Sequence, residues 1–174
     1  MLRSVAVGGT SRDLLLRTRG DTRRLGQALA AVLAPGDLVV LEGELGAGKT
    51  FLARSILRAL GVPASMPVTS PTFEMVHEFA GLVPILHVDL YRLDASDRLR
   101  DLGLSDRIGQ DAIALVEWGA RFVRELGGDG LAIRLVFDAS AGRHCRLEAL
   151  GPRGDRLLAA LRELPIGSAA VVNG

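Results

Sequence analysis

Lysine occurs once in this chain of 174 residues, although lysine and arginine together number 21. Arginine carries the positive charge everywhere except position 49, where a mobile point charge replaces a rigid fork. Cysteine also occurs once, so Cys145 excludes an internal disulfide and fits a reducing cytoplasm. Neither sign of charge dominates. A net charge of +1 gives no broad basic field, and nucleic-acid binding by the chain alone is not expected. No apolar run approaches about 18 residues, which excludes a membrane span. Met1 to Thr10 is short and runs into Gly8-Gly9, so it lacks the apolar stretch of a signal peptide. These absences predict a cytoplasmic protein. The length and the 48% apolar content suit one domain over 1–174 with a real core, its ends (about 1–10 and 165–174) loose.

The lone lysine lies in Gly43-Glu44-Leu45-Gly46-Ala47-Gly48-Lys49-Thr50, which fits G-x-x-x-x-G-K-[ST], the loop that cradles nucleotide phosphates. Asp37-Leu38-Val39-Val40-Leu41-Glu42 before it reads as a buried strand, and Phe51 to Arg58 after it as a helix. Strand, glycine loop and helix start form the context the motif requires. Gly43, Gly46 and Gly48 permit positive φ and the close approach of a ligand. The loop amides then point inward as an anion nest, and the helix adds the positive end of its dipole. Lys49 is expected to reach the β- and γ-phosphates and the Thr50 hydroxyl to ligate Mg²⁺. A plain glycine-rich turn with a surface lysine would not account for both flanks.

Elsewhere strands and helices alternate. Asp13 to Arg19 is expected to be an edge strand centred on Leu14, Leu15 and Leu16. Asp21 or Thr22 caps a helix through Leu25, Ala28, Leu29 and Val32, which Pro35-Gly36 stops. Thr69-Ser70-Pro71-Thr72 is a loop, because proline drives the preceding residue out of helix. Phe73 to Phe79 and Val83 to Leu90 read as strands joined across Ala80-Gly81-Leu82 in a hairpin. Ser96 to Leu102 and Ser105 to Gln110 look like short helices. Ala112 to Trp118, Leu131 to Phe137 and His144 to Leu150 are further strands, and Asp155 to Leu164 is an amphipathic helix. The alternation implies an α/β fold, a sheet covered by helices with an antiparallel portion.

A phosphate loop needs acidic partners at the carboxyl ends of neighbouring strands, where an open sheet forms its ligand crevice. Two apolar strands end in acids, one in Asp89 and one in Glu117. Either can hold Mg²⁺ or orient an attacking water, and spacing does not decide between them. One strand-end acid is ordinarily a salt bridge or a helix cap; two beside a phosphate loop point to chemistry. His87 shares a strand face with Asp89, and Mg²⁺ prefers oxygen, so an orienting or packing histidine is expected. Trp118, directly after Glu117, is either edge packing or a contact surface. Arg98, Arg100 and Arg107 are interleaved with Asp94, Asp97, Asp101 and Asp106 and read as a solvated helix face.

Taken together, the phosphate loop, Ser70-Pro71-Thr72-Phe73, His87-Val88-Asp89-Leu90-Tyr91-Arg92-Leu93 and Val116-Glu117-Trp118 resemble the TsaE (YjeE) family, small ATPases of bacterial tRNA threonylcarbamoyladenosine synthesis. The similarity spans about Thr22 to Arg146. It implies a P-loop NTPase-like fold with a mostly parallel central sheet and helices on both faces. It also implies ATP and Mg²⁺ as cofactors. The nucleotide would be held along Gly43, Gly46, Ala47, Gly48, Lys49, Thr50 and Phe51. Thr50 and Glu117 match the family's metal ligands and Asp89 an acid near the same ion, so Lys49, Asp89 and Glu117 form the implied catalytic set. Ser70, Pro71, Thr72 and Phe73 match a switch-like loop that approaches the γ-phosphate. Thr22 and Arg143 match positions near the nucleotide, and Trp118 an aromatic residue close to the site. Two departures stand out: Phe51 replaces a common second threonine, and Gly119 replaces a frequent proline after Glu-Trp. The implied partners are the TsaD and TsaB transferase subunits, with tRNA met only indirectly. The implied activity is a slow ATPase, completed by its partners, that supports repeated modification of tRNAs reading ANN codons.

The loop alone also fits two other readings. One is a small-molecule kinase, for which Arg98 to Arg107 is the only candidate lid. The other is a non-catalytic nucleotide-sensing module in which Phe51 blocks productive geometry.

Overall fold

The segment Ile113–Glu117 is apolar until its last residue, and every residue in it is buried. A strand without polar alternation must be covered on both faces, which places it inside a layered sheet. The computed structural model describes residues 10–94, 99, 102–104, 107–138, 142–164 and 170–171. Its elements are β1 (Ser11–Leu16), α1 (Arg19–Val32), β2 (Leu38–Gly43), α2 (Lys49–Ala59), β3 (Val76–Ala80), β4 (Pro84–Asp89), β5 (Ile113–Glu117), β6 (Leu131–Phe137), β7 (Arg143–Ala149), α3 (Pro152–Arg162) and β8 (Ala170–Val171). The strand order is β3-β4-β5-β2-β6-β7-β1-β8. The central strands β4, β5, β2 and β6 run parallel, and antiparallel pairs flank them on both sides. This is the α/β sheet with an antiparallel portion that the alternation implied.

Helices α1, α2 and α3 cover one face. Leu25 and Leu29 of α1, Leu52, Ile56 and Leu57 of α2, and Leu157, Leu158 and Leu161 of α3 pack with Leu41, Leu115, Ile133 and Leu147 of the sheet. Each such side chain contributes about 1.5–3 kcal/mol when fully buried. On the opposite face Val40, Val88, Ala114 and Val116 lie under Leu90, Leu93, Leu99, Leu104, Phe122 and Leu126. The chain between β4 and β5 and a 3₁₀ turn over Ala120–Phe122 supply that cover. The helix expected over Ser96 to Leu102 lies mostly outside the described residues, as do Arg98, Arg100, Asp97, Asp101 and Asp106. Arg107 to Gln110, within the second expected helix, form turns. Among the described residues, no helix is long and apolar enough to cross a membrane. Cys145 is fully buried on β7, and burial pushes its thiol up to about 12, so it is chemically inert at neutral pH.

Most element ends shift by about one to three residues from the sequence reading, and three further readings change. Thr18, rather than Asp21 or Thr22, caps α1: its hydroxyl accepts from the Asp21 N–H at 3.1 Å, and the Asp21 carboxylate accepts from the Thr18 N–H at 2.7 Å. The strand before it stops at Leu16, which leaves Thr18 extended (φ −133°) and able to close this reciprocal box. Secondly, β1 is not an edge strand. Leu14 and Leu15 pair with Val171 and Ala170, so strand forms inside a tail expected to be loose. Thirdly, β3 begins at Val76 rather than Phe73, because Thr72 to Glu74 turn and Met75 takes a φ of 63° that extended backbone does not use.

Candidate active site

The connection from β2 to α2 turns on glycines with φ of 140°, 81° and 107° at Gly43, Gly46 and Gly48. At Gly43 close approach adds to conformation: a Cβ there would lie 2.2 Å from the Leu135 carbonyl oxygen. Gly43→Ala is therefore expected to cost about 1–3 kcal/mol of stability, read as a lower melting temperature. An unchanged melting temperature would mean that the loop does not hold this backbone. Gly48 is the N-cap of α2 in left-handed conformation, and no side chain caps the helix. The first-turn N–H groups are left as donors at the positive end of the helix dipole.

Lys49 is buried at the mouth of this nest. Its ammonium donates to the carbonyl oxygens of Gly43 at 2.8 Å and Glu44 at 2.9 Å. It also sits 3.8 Å from the centre of the Trp118 ring. Burial lowers its pKa, while Glu117, Glu42 and Asp89 oppose that shift. Trp118 has a φ of 62°, an unusual value for an aromatic residue, and its N–H donates to the Leu41 carbonyl at 2.9 Å. This backbone aims the ring at Lys49, and the Tyr91 ring packs on it with centroids 5.0 Å apart. The loop beyond is anchored without the proline that Gly119 replaces. A Cβ at Gly119 would lie 2.9 Å from Val116 Cγ1, and the Ala120 N–H donates to the Glu42 carboxylate at 2.6 Å. Burial pushes the Glu42 carboxyl up, against the pull of that N–H and of Lys49.

Asp89 and Glu117 are register partners on the parallel strands β4 and β5. Glu117 is tied to the phosphate loop: its Oε2 accepts from the Thr50 hydroxyl at 2.9 Å. Its Oε1 lies 2.9 Å from Nε2 of His87, which is wholly buried, so the expected orienting histidine orients this acid. Asp89 is tied to the other loop. Its Oδ2 accepts from the Ser70 hydroxyl and from Thr72 Oγ1 at 2.8 Å, and its Oδ1 from the Tyr91 N–H at 2.9 Å. His87→Leu removes a partner from a buried carboxylate and is expected to cost about 1–3 kcal/mol. A variant that melts at or above the wild-type temperature would show that Glu117 is held by other means.

Among the described residues, no group of three or more His, Cys, Asp or Glu forms a ready-made metal cage. Thr50 and Glu117 instead offer hard oxygens beside the amides of the glycine loop, with Asp89 alongside. That set fits Mg²⁺, which takes a few protein oxygens and completes its shell with phosphate and water.

A cavity of about 310 Å³ collects these groups. Gly46, Gly48, Lys49, Thr50, Phe51, Ser70, Thr72, Asp89, Glu117 and Trp118 line it, all singled out in the sequence, together with Leu45 and Tyr91, to which the sequence reading gave no role. Gly43 and Ala47 belong to the loop backbone behind it. Arg143 does not line the cavity; its Nε donates to the Ala47 carbonyl at 2.7 Å and buttresses the loop from β7. Thr22 is likewise outside, buried in the first turn of α1 with its hydroxyl 3.5 Å from the Thr18 carbonyl. Pro71 is also off the lining, and Phe73 is 81% exposed beneath the Arg92 guanidinium. Glu42 was missed because its partner, the backbone of Ala120, is 78 residues away. His77, given no role, pairs with Glu74 away from the cavity.

A strand, glycine loop and helix at the centre of a parallel sheet, with acids at neighbouring strand ends, define a P-loop-type α/β protein. Bacillus subtilis YdiB, known from a crystal structure, shares the fold: the TM-score is 0.76 at 26% identity, covering 88% of this chain and 95% of that one. The family model described as threonylcarbamoyl adenosine biosynthesis protein TsaE matches residues 16–145. The tRNA threonylcarbamoyladenosine biosynthesis protein TsaE of Streptomyces coelicolor is 43% identical over 141 residues, which is 75% of this chain and 92% of that protein. Its namesake from Bacillus subtilis is 33% identical over 138 residues, or 79% and 85% of the two chains. The chain belongs to the TsaE family, and its role is in tRNA threonylcarbamoyladenosine biosynthesis.

Proposed function

We propose that this protein is a Mg²⁺-dependent ATPase that serves the TsaD–TsaB transferase pair in threonylcarbamoyladenosine modification of tRNAs reading ANN codons. One observation carries the reading: Lys49, the uncapped start of α2 and the Thr50–Glu117 pair meet around one cavity. A triphosphate seated there takes the N–H groups of the loop and first helical turn. Its β- and γ-oxygens replace the Gly43 and Glu44 carbonyls as partners of the Lys49 ammonium. Mg²⁺ would be held by the Thr50 hydroxyl and Glu117, with Asp89 nearby, and would supply neutralisation of the charge on those phosphates. His87 keeps Glu117 turned toward Thr50 before any ligand arrives.

Asp89 links the phosphate site to the loop from Ser70 to Phe73. Three donors occupy its carboxylate, so it is not free to orient a water while that loop stays in place. Slow turnover by the isolated chain follows. A partner that grips the exposed Phe73 and moves Ser70 and Thr72 toward the γ-phosphate would release Asp89 for that task. Phosphate release from ATP–Mg²⁺ is to be measured for the chain alone, with the transferase pair, and with small-molecule acceptors. Acceleration by the pair supports this reading. Transfer to a small acceptor would make the protein a kinase, and no release under any condition would make it a sensor.

A further inference from the structure

The groove between α1 and α2 adjoins the phosphate cavity at Phe51, which lines both, and carries rows of arginine that lie beyond that cavity. Arg19, Arg23 and Gln27 recur every fourth residue along the exposed side of α1, and Phe51, Arg54 and Arg58 run along α2. The helices lie close together, since a Cβ on Gly26 would stand 2.6 Å from Ser55 Cβ, and this sets the two rows side by side. Between them is a groove of about 360 Å³ whose lining includes Arg23, Gln27, Phe51, Arg54 and Arg58 and no acidic residue. The only acid on either helix is Asp21, which is committed to Thr18 and Arg24. Among the described residues, no ion pair involves Arg19, Arg23, Arg54 or Arg58. Arg54 donates to the Val68 carbonyl at 2.9 Å, and Arg58 to those of Val62 at 3.1 Å and Met66 at 2.6 Å. Those bonds fix the side chains without neutralising them. The half-buried Phe51 ring has the Arg19 and Arg23 guanidinium carbons 5.6 and 5.7 Å from its centre.

Uncompensated guanidinium groups held together repel one another, and a polyanion laid along the groove relieves that repulsion. Guanidinium forks match phosphate oxygens two at a time. An aromatic ring among arginines adds a surface on which any base can stack. An acidic protein surface would answer the charge but gain nothing from the ring. We propose that this groove binds an RNA backbone directly, so that the protein touches tRNA itself and not only through its partners. The proposal goes beyond the ATPase reading and does not depend on hydrolysis.

The test is fluorescence anisotropy of labelled, unmodified tRNA titrated with the full chain between about 50 and 200 mM salt. Three or four phosphate contacts give a log–log salt slope of about −2 to −3. Arg19→Glu/Arg23→Glu is expected to weaken binding at least about tenfold and to remove most of that slope. Among the described residues neither side chain makes a hydrogen bond or an ion pair, so the melting temperature should stay at the wild-type value. Arg124→Glu/Arg134→Glu, with the same charge change on the sheet's other side, should leave tRNA affinity unaltered. Absence of salt-dependent binding, or an equal loss in the control variant, would overturn the proposal. So would polyglutamate displacing the tRNA with the same dependence on Arg19 and Arg23, which would make the occupant an acidic protein.

Discussion

Lys49→Ala is expected to lower ATP hydrolysis at least about a hundredfold and to weaken nucleotide binding with it. Charge-assisted hydrogen bonds are worth about 1.5–3 kcal/mol each, and about 1.4 kcal/mol corresponds to a factor of ten. Two such bonds to phosphate oxygens reach that figure. The ammonium already has little exposure in the folded chain, where two carbonyls and an aromatic face hold it. Exchange of those partners for phosphate oxygens therefore needs little fresh desolvation, which favours binding. Lys49→Arg should not restore activity, because a planar fork does not fit a cradle shaped for a point charge. Trp118 is the sole tryptophan, so its emission reports departure of the ammonium from its ring. ATP–Mg²⁺ should change that emission in the wild type and not in Lys49→Ala. Full turnover in the alanine variant would remove the loop from the chemistry.

Glu117→Gln should separate catalysis from folding more cleanly than alanine does. Glutamine keeps an oxygen for the Thr50 hydroxyl or the buried His87 ring but loses the charge that a divalent cation requires. Mg²⁺-dependent hydrolysis is expected to fall at least about a hundredfold, while stability stays within about 1 kcal/mol. Glu117→Ala strands His87, whose Nδ1 already lacks a partner among the described residues, so it should lose both activity and stability. Equal destabilisation by glutamine and alanine, with hydrolysis retained per folded molecule, would make Glu117 a structural residue. Asp89→Asn is the natural comparison, since its carboxylate answers to Ser70 and Thr72 rather than to the phosphate loop.

The phosphate loop was legible because three requirements fell within a dozen residues: a buried strand, glycines at positive φ and a helix start. Both strand-end acids were legible as ends of apolar runs. Their adjacency was not, because it depends on the parallel register that sets Asp89 against Glu117 across β4 and β5. Glu117's link to Thr50 and Asp89's to Ser70 and Thr72 likewise arise from packing that a linear pattern does not encode. Phe73 read as strand on hydrophobicity, yet the hydroxyls before it are claimed by Asp89 and the backbone turns, leaving the ring exposed. The α1 cap was misplaced by a few residues for a related reason: where β1 ends is decided by its pairing with β7, and Thr18 caps only once the strand has stopped. A net charge of +1 averages over the chain and so does not register the arginine rows that α1 and α2 bring together.

The most direct measurement is a crystal structure of the chain grown with Mg²⁺ and a non-hydrolysable ATP analogue. The account requires the β- and γ-phosphates on the amides from Gly46 to Thr50, with the Lys49 ammonium moved from the Gly43 and Glu44 carbonyls onto their oxygens. It also requires the metal between the Thr50 hydroxyl and the strand-end acids. An analogue bound elsewhere, with Lys49 still on those carbonyls and against the Trp118 ring, would contradict it.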